Sequence, residues 1–181
     1  MIFAYLLVLI AVASRYLVVS HVALLNFTAV TGGLIYFGAR RPWREMLAPL
    51  AILMLSDFIL TTYAYHYAFH WQGYVTTWAW YVAAMVLGLL LLSAKVTVPR
   101  VAAGAVLGPT SFFVVSNYGV WAASGMYPHT LAGFWACYAA AIPFYRNDLA
   151  ATTIVLTAAF GVPALVRRLN PAQPQTVLAR K

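Results

Sequence analysis

Acidic residues are almost absent from this chain. Glu45, Asp57 and Asp148 are the only three in 181 residues, and charged groups of either sign make up 8%. A soluble domain typically has about a quarter of its residues charged. With 64% hydrophobic residues and a mean hydropathy of +0.84, this chain has lipid as its expected solvent. A single cysteine, Cys137, excludes an intrachain disulfide and leaves the redox compartment undetermined. No phosphate loop, nucleophile elbow, metalloprotease helix or nucleotide fingerprint occurs. The chain therefore does not hydrolyse ATP itself, no cofactor is implied, and no catalytic constellation supports an enzyme.

Long apolar runs fill the space left by the missing charges. At about 20 residues per spanning helix, the chain has room for six spans with short loops and no extramembrane domain. Apolar stretches between polar or Pro/Gly punctuation predict helices near Phe3 to Ser20, Val22 to Gly38, Met46 to Tyr65, Tyr74 to Ala94, Val101 to Ala123 and Leu149 to Val166. A seventh piece, Leu131 to Tyr145, is about 15 residues long and carries Pro143, which suits a re-entrant or buried segment. The start of the chain lacks a basic n-region and leads into a run too long for an h-region, so it reads as an uncleaved first span. The tail from Asn170 has two prolines and no periodicity, and is expected to be a flexible cytoplasmic extension. Residues 1–169 are thus read as one transmembrane domain. The expected fold is all-α: a polytopic bundle of six transmembrane helices plus a short external re-entrant or lid helix.

Eleven Lys and Arg give a net charge of +8. In a soluble protein that balance would suggest nucleic acid; here it reports orientation in the lipid bilayer, with no nucleic-acid partner. If the short piece does not cross, Arg40, Arg41, Arg44, Lys95, Arg100, Arg167, Arg168, Arg180 and Lys181 share one side. The positive-inside rule makes that side, with both termini, cytoplasmic. A seven-span reading would put the last four of these outside.

Under this topology His21, His66, His70 and His129 all lie at the opposite, external face. Two segments rich in aromatic and amide groups lie there too: Tyr63 to Tyr74, and Ser116 to Trp121 continuing through Tyr127 to Thr130. Interfacial belts explain individual Trp and Tyr residues. A belt alone would appear on both sides, whereas the cytoplasmic loops hold one clear interfacial aromatic, Trp43. A dense mixture of rings and hydrogen-bonding groups is what a small-molecule pocket requires. The histidines suggest a metal site only weakly: His66 and His70 alone have i, i+4 spacing, and no metal-binding signature accompanies them.

Within the spans, Asp57 lies near the middle of the third helix, where a carboxylate must be paired, protonated or wetted. Its natural partner is Arg15, and the pair is either a packing device or the floor of a ligand or ion site. Asn26, Thr28 and Asn117 must likewise find partners across helices or in a pocket. Gly104 with Gly108, and Ala79 with Ala83, have small-xxx-small spacing that signals close packing. Cys137 has no basic neighbour to lower its pKa and reads as a packed small side chain.

The runs Asn117-Tyr-Gly-Val-Trp121, Tyr127-Pro-His-Thr-Leu-Ala-Gly133, Cys137-Tyr138 and Ala141-Ile-Pro-Phe144, with Arg15, Asn26-Phe-Thr28 and Ser56-Asp57, resemble a poorly characterised bacterial membrane family over about residues 10 to 165. That family is similar to the substrate-binding S components of energy-coupling-factor (ECF) transporters, which are small six-helix bundles. The stretch from Ile142 to Asp148 resembles the segment preceding the last helix of biotin-type S components.

The resemblance implies a substrate-capture protein of the bacterial inner membrane, taking up a vitamin or related small organic solute. Movement would be powered by an ECF-type coupling subunit with its ATPases, or by the solute's own gradient. The residues expected to bind substrate are His21, Asn26 and Thr28 from the first connection, Tyr63, His66 and Trp71 from the second, and Asn117, Trp121, Tyr127 and His129 from the third. Asp57 and Arg15 would form the floor. The alternative is a non-catalytic structural or accessory subunit of a larger membrane complex.

Overall fold

The computed structural model describes residues 2–20 and 27–169, which form helices and short connections with no strand among them. The helices are α1 (Ile2–Ser20), α2 (Val30–Arg40), α3 (Leu47–Ile59), α4 (Val75–Leu92), α5 (Val98–Ala123) and α6 (Leu131–Leu156). A 3-10 turn at Trp43–Glu45 leads into α3, and a π turn at Leu60–Ala64 extends it. A second π turn, Thr157–Gly161, carries α6 on into a last helical stretch, Val162–Leu169. Four of these rods are long and apolar enough to cross a membrane: Trp43–Ala64, Trp71–Leu92, Val98–Ala123 and Leu131–Leu169. Ile2–Tyr16 is a shorter apolar helix.

Successive rods alternate in direction, as their side-chain contacts show. Tyr5 meets Phe37 while Ser14 accepts from the Ala29 amide, so α1 and α2 are antiparallel. Trp80 bonds Ser111 while Leu92 lies beside Gly104, and Thr110 bonds Tyr145 while Trp121 packs on Phe134. Those pairs make α4 antiparallel to α5, and α5 to α6. One end of the bundle therefore collects Arg40, Arg41, Arg44, Arg100, Arg167 and Arg168. There Arg40 lies over the Phe160 ring at 5.0 Å, and Arg41 donates to Glu45 at 2.5 and 2.7 Å, with the Tyr5 hydroxyl on the same carboxylate.

The centre of the bundle is α2. Its residues Val30 to Ala39 are all buried except Tyr36, and it packs against α1, α4, α5 and α6. Glycine makes this possible. Gly38 and Gly88 let α2 and α4 touch backbone to backbone: a Cβ on Gly38 would collide with the Met85 carbonyl, and one on Gly88 with the Ile35 carbonyl. Gly108 of α5 receives the Ile35 and Thr31 side chains in the same way. Without a hydrophobic driving force between helices in lipid, such close approach is the main source of packing energy.

The expected lid is not a separate element. Leu131 to Tyr145 and the span expected from Leu149 form one continuous helix, extending over 39 residues to Leu169. Two signals pointed the other way, Pro143 and the polar run Arg146-Asn147-Asp148. Proline costs one intrahelical hydrogen bond, which membrane helices tolerate, and Pro143 is exposed on the surface of α6. Asp148 needs no water because two threonine hydroxyls reach it inside the bundle. At 1.5 Å per residue the whole rod is about 58 Å long, well beyond a hydrocarbon core of about 30 Å. The expected tail from Asn170 lies outside the described residues.

The backbone contacts at Gly38 and Gly88 generate a direct test. Alanine at either position is expected to lower stability by roughly 1–3 kcal/mol, the usual cost of overpacking. Gly73→Ala, which places its methyl in open space, is expected to change nothing. Thermal midpoints of the three variants in detergent, followed by size-exclusion chromatography, check this.

Candidate functional site

Away from the arginine-rich end, two buried carboxylates organise the bundle in different ways. Asp57, 1% exposed, is the hub of the first. Arg15 of α1 donates to its Oδ1 at 2.5 Å and to Ser56 Oγ at 3.0 Å. Trp78 Nε1 of α4 donates to Oδ2 at 2.8 Å, and the Tyr81 hydroxyl lies 3.5 Å from both oxygens. The carboxylate thus joins α1, α3 and α4, with its charge matched and its lone pairs engaged. It does not line the cavity described next.

Asp148 is the second hub. Thr31 donates to it at 2.8 Å from α2, and Thr152 at 3.3 Å from the next turn of α6. Among the described residues no Lys, Arg or His forms a salt bridge with it. Asp148 lines the deep end of a cleft of about 410 Å³ between α5 and α6. Small-molecule pockets span roughly 300–1,000 Å³. From α5 come Pro109, Phe112, Phe113, Ser116, Asn117 and Val120; from α6 Cys137, Ala140, Ala141, Phe144 and Tyr145. Met126 and Tyr127 of the α5–α6 connection line the other end. The walls are braced by Thr110 to Tyr145 at 3.0 Å and by the Tyr138 hydroxyl to the Val114 carbonyl at 2.7 Å. Phe113 packs against Tyr138 and Tyr145 of α6, and Phe112 against Trp80 of α4, while the small Ala140 and Ala141 line the same space.

Of the residues expected to bind substrate, Asn117 and Tyr127 line this cleft. Trp121 and His129 sit beside it: the Trp121 indole donates to the Pro128 carbonyl at 3.1 Å and packs against His129 and Phe134. Those contacts fix the α5–α6 connection. Gly133 supports the same turn, since a Cβ there would strike the Pro128 carbonyl. Thr28, half-buried, precedes α2, while His21 and Asn26 lie outside the described residues. Tyr63, His66 and Trp71 are exposed around the α3–α4 connection, apart from the cleft. His66 and His70 fall in non-helical backbone, His66 at a positive φ of 57°, so their i, i+4 spacing does not bring them onto one helical face. Among the described residues no cluster of three potential metal ligands occurs.

Sequence reasoning missed Asp148, Phe113, Phe144 and Tyr145. The available signal was the acid itself: placed within a helix rather than a connection, it would have drawn the same scrutiny as Asp57.

An all-helical bundle with four rods of membrane-crossing length, and a cleft between its last two, defines a polytopic membrane protein. The chain belongs to DUF6580, a family of unknown function, which it matches over residues 1–174. No curated protein and no solved structure matches it.

Removing one partner of a buried ion pair costs about 3–5 kcal/mol, because the other charge is left behind. Asp57→Asn and Arg15→Met are each expected to lower the thermal midpoint strongly. The double variant Arg15→Met/Asp57→Leu is expected to recover much of the loss, which a double-mutant cycle of melting measurements checks.

Proposed function

We propose that this protein captures a small organic solute within a bacterial inner membrane, in the manner of an S component. In this reading all six rods cross the bilayer, the arginine-rich end and both termini are cytoplasmic, and solute enters from the opposite side. The observation that carries it is the cleft: a cavity of ligand size, walled by aromatic rings, with a buried carboxylate at its deep end and a tyrosine at the other. Convergence of a few polar groups in an apolar concavity is the usual form of a binding site. The solute class suggested by the S-component likeness is a vitamin or related metabolite, and movement is driven by an ECF-type coupling subunit with its ATPases or by the solute's gradient.

Arg146 favours a second reading, an accessory subunit of a larger membrane complex. It is exposed on α6 one residue beyond Tyr145, which bonds Thr110 about midway along α5. An arginine facing hydrocarbon at that depth costs about 2.5–3.5 kcal/mol on insertion scales unless something pairs with it. A partner helix bearing an acid would remove that cost. The two readings are compatible if the partner is the coupling subunit.

Solute capture is tested by denaturing washed protein purified in lipid nanodiscs and identifying released small molecules by mass spectrometry. A discrete solute is expected from the wild-type chain and not from Ala140→Trp, which fills the cleft from an exposed wall position. No solute from either, or equal release from both, would contradict the proposal.

A further inference from the structure

The hydrogen-bonding inventory of the cleft is lopsided. The Ser116 hydroxyl donates to the Phe112 carbonyl at 2.6 Å, and the Asn117 amide nitrogen to the Phe113 carbonyl at 2.7 Å. The Cys137 thiol points at the Asn117 carbonyl at 3.5 Å, and the Tyr145 hydroxyl is shared with Thr110. Because the Asn117 amide bonds a carbonyl, its nitrogen must be the donor, which leaves Oδ1 as an open acceptor. Asp148 has room for about four hydrogen bonds, and its two threonine partners supply one proton each. At the Asp148 end acceptors are left over; the donors to spare are the second Asn117 N–H, one proton of the Thr110–Tyr145 hydroxyl pair and, at the far end, the Tyr127 hydroxyl.

Charge and ring placement agree with that count. Asp148 is the one formally charged residue among those lining the cleft, and no lining residue is basic. Arg146, two positions away on the helix, is exposed and not part of the lining. Phe112, Phe113, Phe144 and Tyr145 surround the same space. Aromatic faces attract cations lying within about 6 Å of their centroids, most strongly where water is excluded. A buried intramembrane carboxylate without a basic partner also gains most from a ligand that brings one.

We infer that the cleft selects a cationic organic solute, one carrying an ammonium or similar nitrogen-centred positive charge. The cation sits toward Asp148 and Asn117 Oδ1 among the rings, and the rest of the solute extends toward Tyr127. This rests on the solute-capture reading and adds the charge of the ligand to it.

Cys137 supplies the test, because it lines the cleft and is the only cysteine in the chain. The full chain in nanodiscs is treated with three methanethiosulfonates: a cationic trimethylammonium-ethyl and an anionic sulfonato-ethyl reagent of similar size, and a smaller neutral methyl reagent. Each rate is divided by that reagent's rate with a free thiol. The corrected cation-to-anion ratio is expected to be at least ten-fold, and to fall toward one in Asp148→Asn. Tetraethylammonium is expected to slow modification of the wild-type chain by the neutral reagent, whereas a neutral alcohol of matching size is not. That protection decides the matter even if Asp148→Asn fails to fold.

A corrected ratio near one, with equal protection by the alcohol, would overturn charge selection and leave solute capture standing. Failure of all three reagents to modify Cys137 would overturn both, since the cleft would then admit no solute.

Discussion

Three carboxylates, two of them buried in a medium that does not solvate them, set the terms of this structure. In lipid, every buried charge must be paired, protonated or hydrated. Glu45, near the arginine-rich end, is held by Arg41 and Tyr5. Asp57 is held by Arg15, with Trp78 and Tyr81 completing its surroundings. Each of these joins helices distant in sequence, so the scarce acids act as junctions between rods. Asp148 is also a junction, tying α6 to the central α2 through Thr31, but among the described residues no arginine pairs with it, and a cavity adjoins it. The contrast between two matched acids and one unmatched acid separates structural junctions from the candidate site.

The cleft follows from how the other helices pack. With α2 in the middle and glycines at its contacts with α4 and α5, those helices close tightly around it. The outer halves of α5 and α6 lie beyond that tight centre. There rings and small alanines line a gap, and hydroxyls brace its walls at either side. Pro109, buried in α5, marks the transition between the close-packed and open portions. The Trp121, Pro128 and Gly133 contacts then fix the connection that carries Tyr127.

Long-period features of this architecture were legible in the sequence. Apolar run lengths placed four of the helices closely, whereas α2, expected from Val22, begins at Val30 after non-helical residues 27–29. Of the arginines that charge counting assigned to one side, the six described ones are gathered at one end, and Arg180 lies outside the described residues. The Arg15–Asp57 pair followed from the rule that an intramembrane acid needs a cation. Connections were harder. Pro143 and the Arg146-Asn147-Asp148 run looked like a break because their local preferences oppose a helix, yet tertiary contacts to Thr31 and Thr152 override them. The same error removed Asp148 from the list of intramembrane acids. His66 and His70 had helical spacing, but the π turn after Leu60 ends α3 before them, and spacing has no meaning outside a helix. Asn117 and Tyr127, singled out for their chemistry, line the cleft, whereas Phe144 and Tyr145 needed the α5–α6 pairing to be known.

The account depends most on whether the α5–α6 cleft holds a ligand. Cryo-electron microscopy of the chain purified gently in lipid nanodiscs, with a rigid binder to add mass, tests this most directly. The expected result is compact density between α5 and α6, within hydrogen-bonding distance of Asp148 and enclosed by Phe113 and Phe144. A cleft occupied by a lipid acyl chain, or closed by direct packing of α5 on α6, would contradict it.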